Sequence, residues 1–322
     1  KLASPNTQGV SSELLDLPDA TVTEMMLMCN PVSDRGPAAC HRDLHPIDTA
    51  PLQGYIDDII ETGPRYVQWN IPLYDDDVLW IVPGSHLRPN TDQENSQLRA
   101  DPRVPLPDGI QTHLKAGDGV VYITPILHWG SNYSTKMRRT IHGGFSNHTQ
   151  YPNLDFVEHL TTPGQQMFEN WDRRSIEMQN HTESALRAAI KQDSHNYYSN
   201  LEKLSPGRKE KGKILTTIFL SKAVCFINLN KNPNFESVSD DLRQKAPNAH
   251  PTTLNWGAEF ADRFSLEEAR ILWNRFKIVE AKLQADEEHF YPGFQSGPMR
   301  YFFNQIPTNF NVTDLIASWS QS

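Results

Sequence analysis

Three residues of the chain have the types and the spacing of a metal-binding set. His41 and Asp43 are two positions apart, so in an extended segment both side chains project to the same face and can reach one ion. His128 stands much later, at the end of the strand-like stretch GVVYITPIL, and can supply a third ligand. Two imidazoles and one carboxylate leave positions open on the metal, an arrangement typical of non-haem Fe(II) oxygenases. The spacing therefore predicts an iron site at His41, Asp43 and His128.

Short strands separated by turns are expected to position this set. Apolar or β-branched stretches recur from residue 21 to about 147, and turn residues such as Asp75-Asp76-Asp77 stand between them. Strands are predicted over 21–29, 66–74, 78–82, 112–115, 119–124 and 140–145, with one helix over 52–60. Strands of this length and spacing predict a sandwich or a barrel.

The composition changes after about residue 151. Helix formers dominate 164–192 and 265–284, and Ser265 with Glu268 has the spacing of a capping box at the start of the second helix. Residues 207–213 (GRKEKGK) are predicted to form a charged, flexible loop. The expected organisation is a lead-in over 1–20, a β core over 21–150 and a mostly helical extension over 151–322 packed on it. The predicted fold class is mainly β with added helices.

Charge and cysteine content exclude several classes of protein. The 322 residues carry a formal net charge of -9, which argues against a nucleic-acid or anionic-membrane binder. No apolar run approaches the roughly 20 residues that cross a bilayer. The three cysteines, Cys29, Cys40 and Cys225, form no disulfide or zinc pattern, which favours a reducing, intracellular and cytoplasmic location. A small-molecule substrate is the expected partner, and the sequence carries no signal for an oligomeric state.

Three motifs, taken together, resemble one known group of enzymes. They are HRDLHP at 41–46, VQWNIPLYDDDVLWIVPGSH at 67–86 and LKAGDGVVYITPILHWGSN at 114–132. In this order they are similar to the phytanoyl-CoA dioxygenase-like family of Fe(II)/2-oxoglutarate oxygenases. The resemblance covers roughly residues 20 to 147. It implies a double-stranded β-helix, which is a jelly-roll or cupin-like barrel, with iron at one open end.

The resemblance also implies residues that bind 2-oxoglutarate. In the family an arginine after the distal histidine pairs with the far carboxylate, and a planar guanidinium suits that role. Arg138 and Arg139 are the candidates, and the shortened run His-Trp-Gly-Ser-Asn favours Arg138. Trp69 matches a tryptophan that lines the co-substrate pocket, and Ser131 is the nearest substitute for a serine contact.

Further candidates surround this set. His45 is a candidate partner of a metal ligand, and Asn70 and His142 are candidates for contact with ligands or substrate. On strands, alternation allows only one face to line the pocket.

The activity that the resemblance implies is oxidation of an unactivated C–H bond, with Fe(II) as cofactor and 2-oxoglutarate and O2 as co-substrates. Hydroxylation is the default outcome, with desaturation or oxidative cyclisation as alternatives. The carboxylate of Asp43 argues against halogenation, because related halogenases lack it. Two other interpretations stay open: a cupin-like metal enzyme that does not use 2-oxoglutarate, and a non-catalytic binding protein on the same barrel.

Overall fold

The first half of the chain forms antiparallel sheets, and the second half is built mainly from helices. The structure, a computed structural model, describes residues 2, 4–18, 20–30, 33, 36–43, 52–131, 136–146, 157–235, 260–283, 288–292, 298–302 and 310–321. The strands are β1 (Thr21–Cys29), β2 (Tyr66–Pro72), β3 (Leu79–Ile81), β4 (Ile110–Gln111), β5 (Val120–Tyr122), β6 (His128–Gly130), β7 (Arg139–Ser146), β8 (Glu288–Pro292) and β9 (Pro298–Phe302). The α-helices are α1 (Pro5–Leu15), α2 (Leu52–Thr62), α3 (Asp92–Ala100), α4 (Thr162–Ile190), α5 (Ser194–Leu204), α6 (Glu210–Lys231), α7 (Leu266–Leu283) and α8 (Val312–Ser318).

The strands up to β7 pair as one long hairpin whose two arms are wound over each other. β1 pairs with β7, β2 with β5 and β3 with β4, so each pair lies inside the preceding one along the chain. An isolated bridge joins His41 to His128 at the start of β6. The strands form two antiparallel sheets, with the orders β1-β7-β2-β5 and β4-β3-β6. This winding brings His41 and His128 together although they are far apart in sequence.

One face of the four-stranded sheet packs against helices. Val67, Trp69 and Ile71 of β2 lie in one buried cluster with Phe168 and Trp171 of α4. Successive side chains of a strand project to opposite faces, so these three residues define the outer face of β2. Helix α4 therefore covers the sheet as a layer.

The opposite face of this sheet is polar and buried. Gln68 and Asn70 alternate with the apolar residues of β2, and neither reaches solvent appreciably. Gln68 lies opposite Tyr122 of β5, and Asn70 lies opposite His142 of β7. The ring of Tyr122 packs with Leu79 of β3, so this face is turned toward the second sheet. Buried polar side chains need partners, and their concentration here marks a candidate site.

The second half of the chain has its own apolar core. Leu186 of α4, Ile218 of α6 and both Leu272 and Phe276 of α7 lie in one buried cluster. Helical residues outnumber strand residues among those described, so the expectation of a mainly β chain is not confirmed and the protein is helix-rich. The reason is the length of α4, α6 and α7. The predicted capping box is confirmed at α7, where the Glu268 N–H donates to Ser265 Oγ (3.2 Å) and the Ser265 N–H donates to Glu268 Oε2 (2.9 Å).

Helix α6 is the central helix of this half. Within the described part of the chain, it alone is long and apolar enough to cross a membrane, by length and composition only. Most of its apolar window, 83%, is buried inside the protein, as expected for the core helix of a helical bundle. No apolar run near this length was predicted from the sequence.

The N-terminal segment is a helix rather than the predicted loose lead-in. Ser4 caps α1 by accepting the N–H of Thr7 (3.4 Å), and Pro5 stands at the first helical position, where its missing N–H costs nothing. Ser11 is fully buried and accepts a hydrogen bond from the indole of Trp69 (2.9 Å). Polar residues therefore fix α1 to the sheet, which an apolar pattern does not predict.

A buried ionic cluster joins the two halves. Asp58 of α2 accepts Arg65 Nε (2.5 Å) and lies 3.5 Å from Nη1 of Arg208, and all three side chains are buried. Arg65 also donates to the carbonyl of Gly212 (2.8 Å), and Arg208 donates to the carbonyl of Gly63 (2.6 Å). We call these three charged residues the Asp58 clamp. The prediction of a flexible loop over 207–213 is wrong, because Arg208 is held in this clamp and α6 begins at residue 210.

Candidate metal centre

The segment that carries His41 and Asp43 is fixed through its backbone. The N–H of His41 donates to the carbonyl of His128, and the N–H of His128 donates to the carbonyl of His41, both at 3.0 Å. The N–H of Asp43 donates to the carbonyl of Thr124 (3.0 Å). These bonds set the first two candidate ligands directly beside the third.

Arg42, between the two candidate ligands, is buried and anchors the segment. Its guanidinium donates to the carbonyl of Ser85 (2.6 Å), to the carbonyl of Pro125 and to Oδ1 of Asn90 (2.8 Å). Ser85 Oγ also accepts the N–H of Leu127 (2.8 Å). Because Arg42 binds backbone carbonyls on one side, His41 and Asp43 are held toward the other.

The three candidate ligands converge with compatible chemistry. Asp43 Oδ1 lies 3.3 Å from His41 Nε2, Asp43 Oδ2 lies 3.2 Å from His128 Nε2, and the three ligand atoms lie within 4.8 Å of one another. Nδ1 of His41 faces the carbonyl of Ala39 (2.8 Å) and Nδ1 of His128 faces that of Ile126 (3.0 Å), so each Nδ1 carries hydrogen and each Nε2 is directed at the group. Ligand atoms about 2.1 Å from one ion are separated by about 3 Å, which the two distances from Asp43 to the histidine nitrogens match. The set can hold a divalent metal.

The triad opens toward solvent at its carboxylate. The side chain of Asp43 is 27% exposed, whereas those of His41 and His128 are 10% and 7% exposed. Asp43 is therefore the most exposed of the three candidate ligands. His45, a predicted partner of a metal ligand, lies outside the described residues.

The charges of the triad are coupled. Burial would raise the pKa of Asp43, but the charge and hydrogen bonds of His128 and His41 hold the pKa of the carboxyl well below its usual value. Burial would lower the pKa of His128, but the charge and hydrogen bond of Asp43 raise it. Without metal, the group thus tends to an imidazolium–carboxylate pair, whose proton a metal must displace.

The stability of the protein is expected to depend on pH in opposite directions with and without metal. The pKa of His128 is raised above 6.5, so its contribution to the metal-free protein is complete below pH 6.5 and is lost as the pH rises through the folded-state pKa. With Mn(II), rising pH removes competing protons and strengthens binding, so stability increases over the same window. The comparison is restricted to pH above 6.5, because His142 contributes an opposing change below that value.

This pH dependence is measured by thermal denaturation with chelator and with excess Mn(II). His159, a highly exposed histidine, provides the control substitution His159→Ala, which should leave both slopes unchanged. Parallel slopes with and without Mn(II) in the native protein would contradict the proton–metal competition.

A continuous hydrogen-bonded group lies beside the triad. Gln68 Nε2 donates to Asp43 Oδ2 (2.8 Å) and to the hydroxyl oxygen of Tyr122 (3.0 Å), which also accepts Asn70 Nδ2 (3.1 Å). Asn70 Oδ1 accepts Nδ1–H of His142 (2.8 Å). We call Gln68, Asn70, Tyr122 and His142 the polar wall. Through Gln68 the wall fixes the orientation of the Asp43 carboxylate.

The polar wall is uncharged near neutral pH. Burial outweighs the attraction of Asp43 and lowers the pKa of His142 to about 4, so its imidazole is neutral and Nε2 is an acceptor. Burial, with the charge of Asp43, raises the pKa of Tyr122, so its hydroxyl keeps its proton. The wall therefore presents neutral groups beside a metal-binding set that carries charge.

The two candidate arginines have different surroundings. Arg138 is buried and its Nε donates to Asp76 Oδ2 (2.8 Å), which also accepts the hydroxyl of Thr140 (2.9 Å). Arg139 is half-buried, and its Nη1 donates to Asn30 Oδ1 (2.9 Å). Residues 138 and 139 alternate between faces, and Arg138 shares the face of Thr140 and His142.

Trp69 does not line the site, which corrects the prediction from the sequence. Its indole N–H donates to Ser11 Oγ (2.9 Å), and its ring lies in the cluster between the sheet and α4. Strand alternation turns Trp69 away from the triad and turns Gln68 and Asn70 toward it. Ser131 directly follows β6 and is half-buried, with its N–H bound to the carbonyl of Val78 (2.7 Å).

Trp69→Phe is expected to destabilise the fold by about 1–3 kcal/mol while leaving metal and 2-oxoglutarate binding unchanged. The physical reason is that the substitution removes the bond to Ser11 and part of a buried ring on the outer face. Urea unfolding measures the stability, and calorimetric titration measures the ligands. Ser11→Ala should give a smaller loss of the same sign. If Trp69→Phe weakened 2-oxoglutarate binding without changing stability, Trp69 would have to be assigned to the co-substrate pocket after all.

Three residues of the site were missing from the set predicted from the sequence: Gln68, Tyr122 and Asp76. Gln68 shares a face with Asn70, so strand alternation could have identified it. Tyr122 lies in a predicted strand, but only the pairing of β5 with β2 reveals that its hydroxyl meets two amides. Asp76 was taken as a turn residue, and nothing in the turn sequence distinguishes it from Asp75 and Asp77.

No protein-family model and no curated protein matches the sequence. Three of the solved structures that match each cover less than half of this chain. AviO1 from Streptomyces viridochromogenes Tue57 is 23% identical over 45% of this chain and 58% of its own, with a TM-score of 0.33. EvdO2 from Micromonospora carbonacea var. aurantiaca, complexed with 2-oxoglutarate, is 19% identical over 45% of this chain and 60% of its own, with a TM-score of 0.31.

The epimerase SnoN from nogalamycin biosynthesis, a non-heme alpha ketoglutarate dependent enzyme, is a third match. In complex with Fe3+, alpha ketoglutarate and nogalamycin RO it is 16% identical over 45% of this chain and 57% of its own, with a TM-score of 0.31. This chain therefore spans little more than half the length of these three structures.

Proposed function

We propose that the chain is an Fe(II)- and 2-oxoglutarate-dependent oxygenase that oxidises a C–H bond of a small molecule. The observation that carries the proposal is the convergence of His41, Asp43 and His128, with their ligand atoms within 4.8 Å of one another and a buried polar wall beside them. Two nitrogens and one carboxylate are the donor set that binds iron and leaves positions for two further ligands. The site therefore suits a metal that must also take a co-substrate and O2.

The proposed fold is a double-stranded β-helix. The nested strand pairs and the two facing antiparallel sheets support a jelly-roll barrel, because such a barrel is a long hairpin wound into two sheets. We propose membership of the phytanoyl-CoA dioxygenase-like family on the motifs at 41–46, 67–86 and 114–132. The helices of the second half are proposed as an extension packed on this barrel.

Each proposed site residue has a distinct task. His41, Asp43 and His128 would hold the iron, and Gln68 would keep the Asp43 carboxylate in its ligating orientation. Arg138 would pair with the far carboxylate of 2-oxoglutarate, because it is buried directly before β7, on the side to which Thr140 and His142 project. Arg139, Ser131 and Trp69 would not carry this contact in the described geometry.

The chemistry supplied by bound iron and 2-oxoglutarate is reduction of O2 coupled to decarboxylation of 2-oxoglutarate to succinate and CO2, with oxidation of a substrate C–H bond. The protein contributes geometry. The burial of His41, His128 and the polar wall limits water beside the metal, and the neutral His142 and Tyr122 can hydrogen-bond a substrate without adding charge. Hydroxylation is the proposed outcome, and substrate placement decides whether desaturation or ring closure occurs instead.

Anaerobic binding tests the proposal. Fe(II) and then 2-oxoglutarate are added to the metal-free protein without O2, and the visible spectrum is recorded. A weak charge-transfer band that requires both components, and is absent in His41→Ala, is expected. Stoichiometric iron without a band or any bound 2-oxoglutarate would favour a cupin-like metal enzyme. Absence of iron binding would favour a non-catalytic protein on the same fold.

A further inference from the structure

Asp76 is held by more contacts than a turn residue needs. Its Oδ1 accepts the N–H of Val78 (2.8 Å), and its Oδ2 accepts both Arg138 Nε (2.8 Å) and the Thr140 hydroxyl (2.9 Å). Its backbone N–H and carbonyl also pair with those of Leu114, both at 2.9 Å. The carboxylate is therefore fixed in position before it meets the guanidinium, and its side chain is only 6% exposed.

We propose that Asp76 is a positioning residue that sets the direction in which Arg138 presents its guanidinium to the far carboxylate of 2-oxoglutarate. This inference rests on the proposed function. A carboxylate bound at Nε fixes the plane of a guanidinium, and the opposite edge, formed by Nη1 and Nη2, is the one that receives a carboxylate with two parallel bonds. Asp76 itself does not touch the co-substrate in this proposal.

Removing the charge of Asp76 should change the affinity for 2-oxoglutarate in opposite directions under the two explanations, charge and positioning. The buried Asp76–Arg138 pair carries no net charge, so Asp76 weakens the long-range attraction between Arg138 and a dianion. If Asp76 affected 2-oxoglutarate only through its charge, removing that charge would tighten binding. If Asp76 positions Arg138, the same substitution weakens binding, because the amide of an asparagine cannot accept from Val78, Thr140 and Arg138 together.

The neighbouring aspartates provide matched controls. Asp75 lies 2.9 Å from Lys115 Nζ, and Asp77 lies 2.5 Å from Lys136 Nζ, with both carboxylates substantially exposed. Asp75→Asn and Asp77→Asn change the net charge by the same amount as Asp76→Asn, at adjacent positions of the chain. Any long-range electrostatic effect should therefore appear in these variants as well.

Calorimetric titration of 2-oxoglutarate into the Mn(II)-loaded protein without O2 is the experiment. We expect Asp76→Asn to weaken binding by about tenfold or more, and Asp75→Asn and Asp77→Asn to change it by less than about twofold. In turnover, Asp76→Asn should raise KM for 2-oxoglutarate more than it lowers kcat, whereas a fold defect would lower the active fraction without moving KM.

Each outcome decides the inference. Unchanged or tighter binding in a folded Asp76→Asn would overturn it while leaving the proposed function intact. Failure of the native protein to bind 2-oxoglutarate would instead remove the proposed function. Where Asp76→Asn does not fold, Thr140→Val tests the same cluster, because it removes one donor to Oδ2. A several-fold weaker titration would then support positioning, and an unchanged one would refute it.

Discussion

His128→Ala is expected to abolish iron binding at micromolar metal and to lower succinate formation from 2-oxoglutarate by more than about 100-fold. Loss of an outer-shell partner of a metal ligand already costs about 10–100-fold in affinity or activity, and loss of a ligand costs more. We expect His41→Ala to behave in the same way.

Metal content by mass spectrometry and succinate by chromatography measure this effect without knowledge of the substrate. His159→Ala is the control, because His159 is exposed and lies outside the triad. His128→Ala that retains stoichiometric iron with native affinity would contradict the ligand assignment. If His128→Ala lost iron because it did not fold, His128→Gln would be measured instead, because it keeps a polar side chain of similar length.

The second large effect is expected at Arg138. Arg138→Gln should weaken 2-oxoglutarate binding by about 100-fold, because two charge-assisted hydrogen bonds are lost from a buried site. Arg139→Gln should change binding by less than about twofold, since Arg139 is directed to Asn30 and is half-buried. The two substitutions remove the same charge from adjacent residues. They differ only in the direction in which the side chain projects.

Calorimetric titration of the Mn(II)-loaded variants measures both arginines under one condition. If Arg139→Gln weakened 2-oxoglutarate binding and Arg138→Gln left it unchanged, the co-substrate contact would be assigned to Arg139. Equal effects of both substitutions would mean that net charge, and not a specific guanidinium, attracts the dianion. In that case binding should also weaken strongly as the salt concentration is raised.

Much of the first half could be predicted from local patterns. The stretch 21–29 is a strand as predicted, and the helix predicted over 52–60 is α2. The spacing of His41 and Asp43 predicted that both side chains would meet one ion, and the structure brings them together with His128. Strand and helix periodicities are local, so they can be recognised in the sequence without knowledge of tertiary contacts.

The sequence does not predict in the same way which side chains of a strand point toward the site. Alternation along β2 separates Trp69 from Gln68 and Asn70, but it does not say which set faces the triad. That choice depends on α1 and α4, whose Ser11 and Phe168 cover the outer face. Helix α1 itself has few apolar residues, so the segment that decides the facing of Trp69 gives a weak sequence signal.

The Asp76 cluster shows a second limit. Three consecutive aspartates predict a turn, and a turn sequence alone does not indicate that the middle carboxylate is buried. The burial arises because Arg138, which is distant in sequence and directly precedes β7, forms an ion pair with Asp76. Charged side chains that become partners through tertiary pairing leave no periodic pattern.

The Asp58 clamp has a consequence for how the chain unfolds. Asp58 and Arg65 belong to the sheet-containing half, whereas Arg208 precedes the central helix of the other half. Separating the halves would leave buried charges and carbonyls without their partners, at a cost of several kcal/mol. Helix α4 adds to this, because its first turns pack on the sheet and its last turns pack in the helical core. We therefore expect no boundary of cooperativity at the change in composition near residue 150, and we expect the sheets and the helices to unfold in one transition.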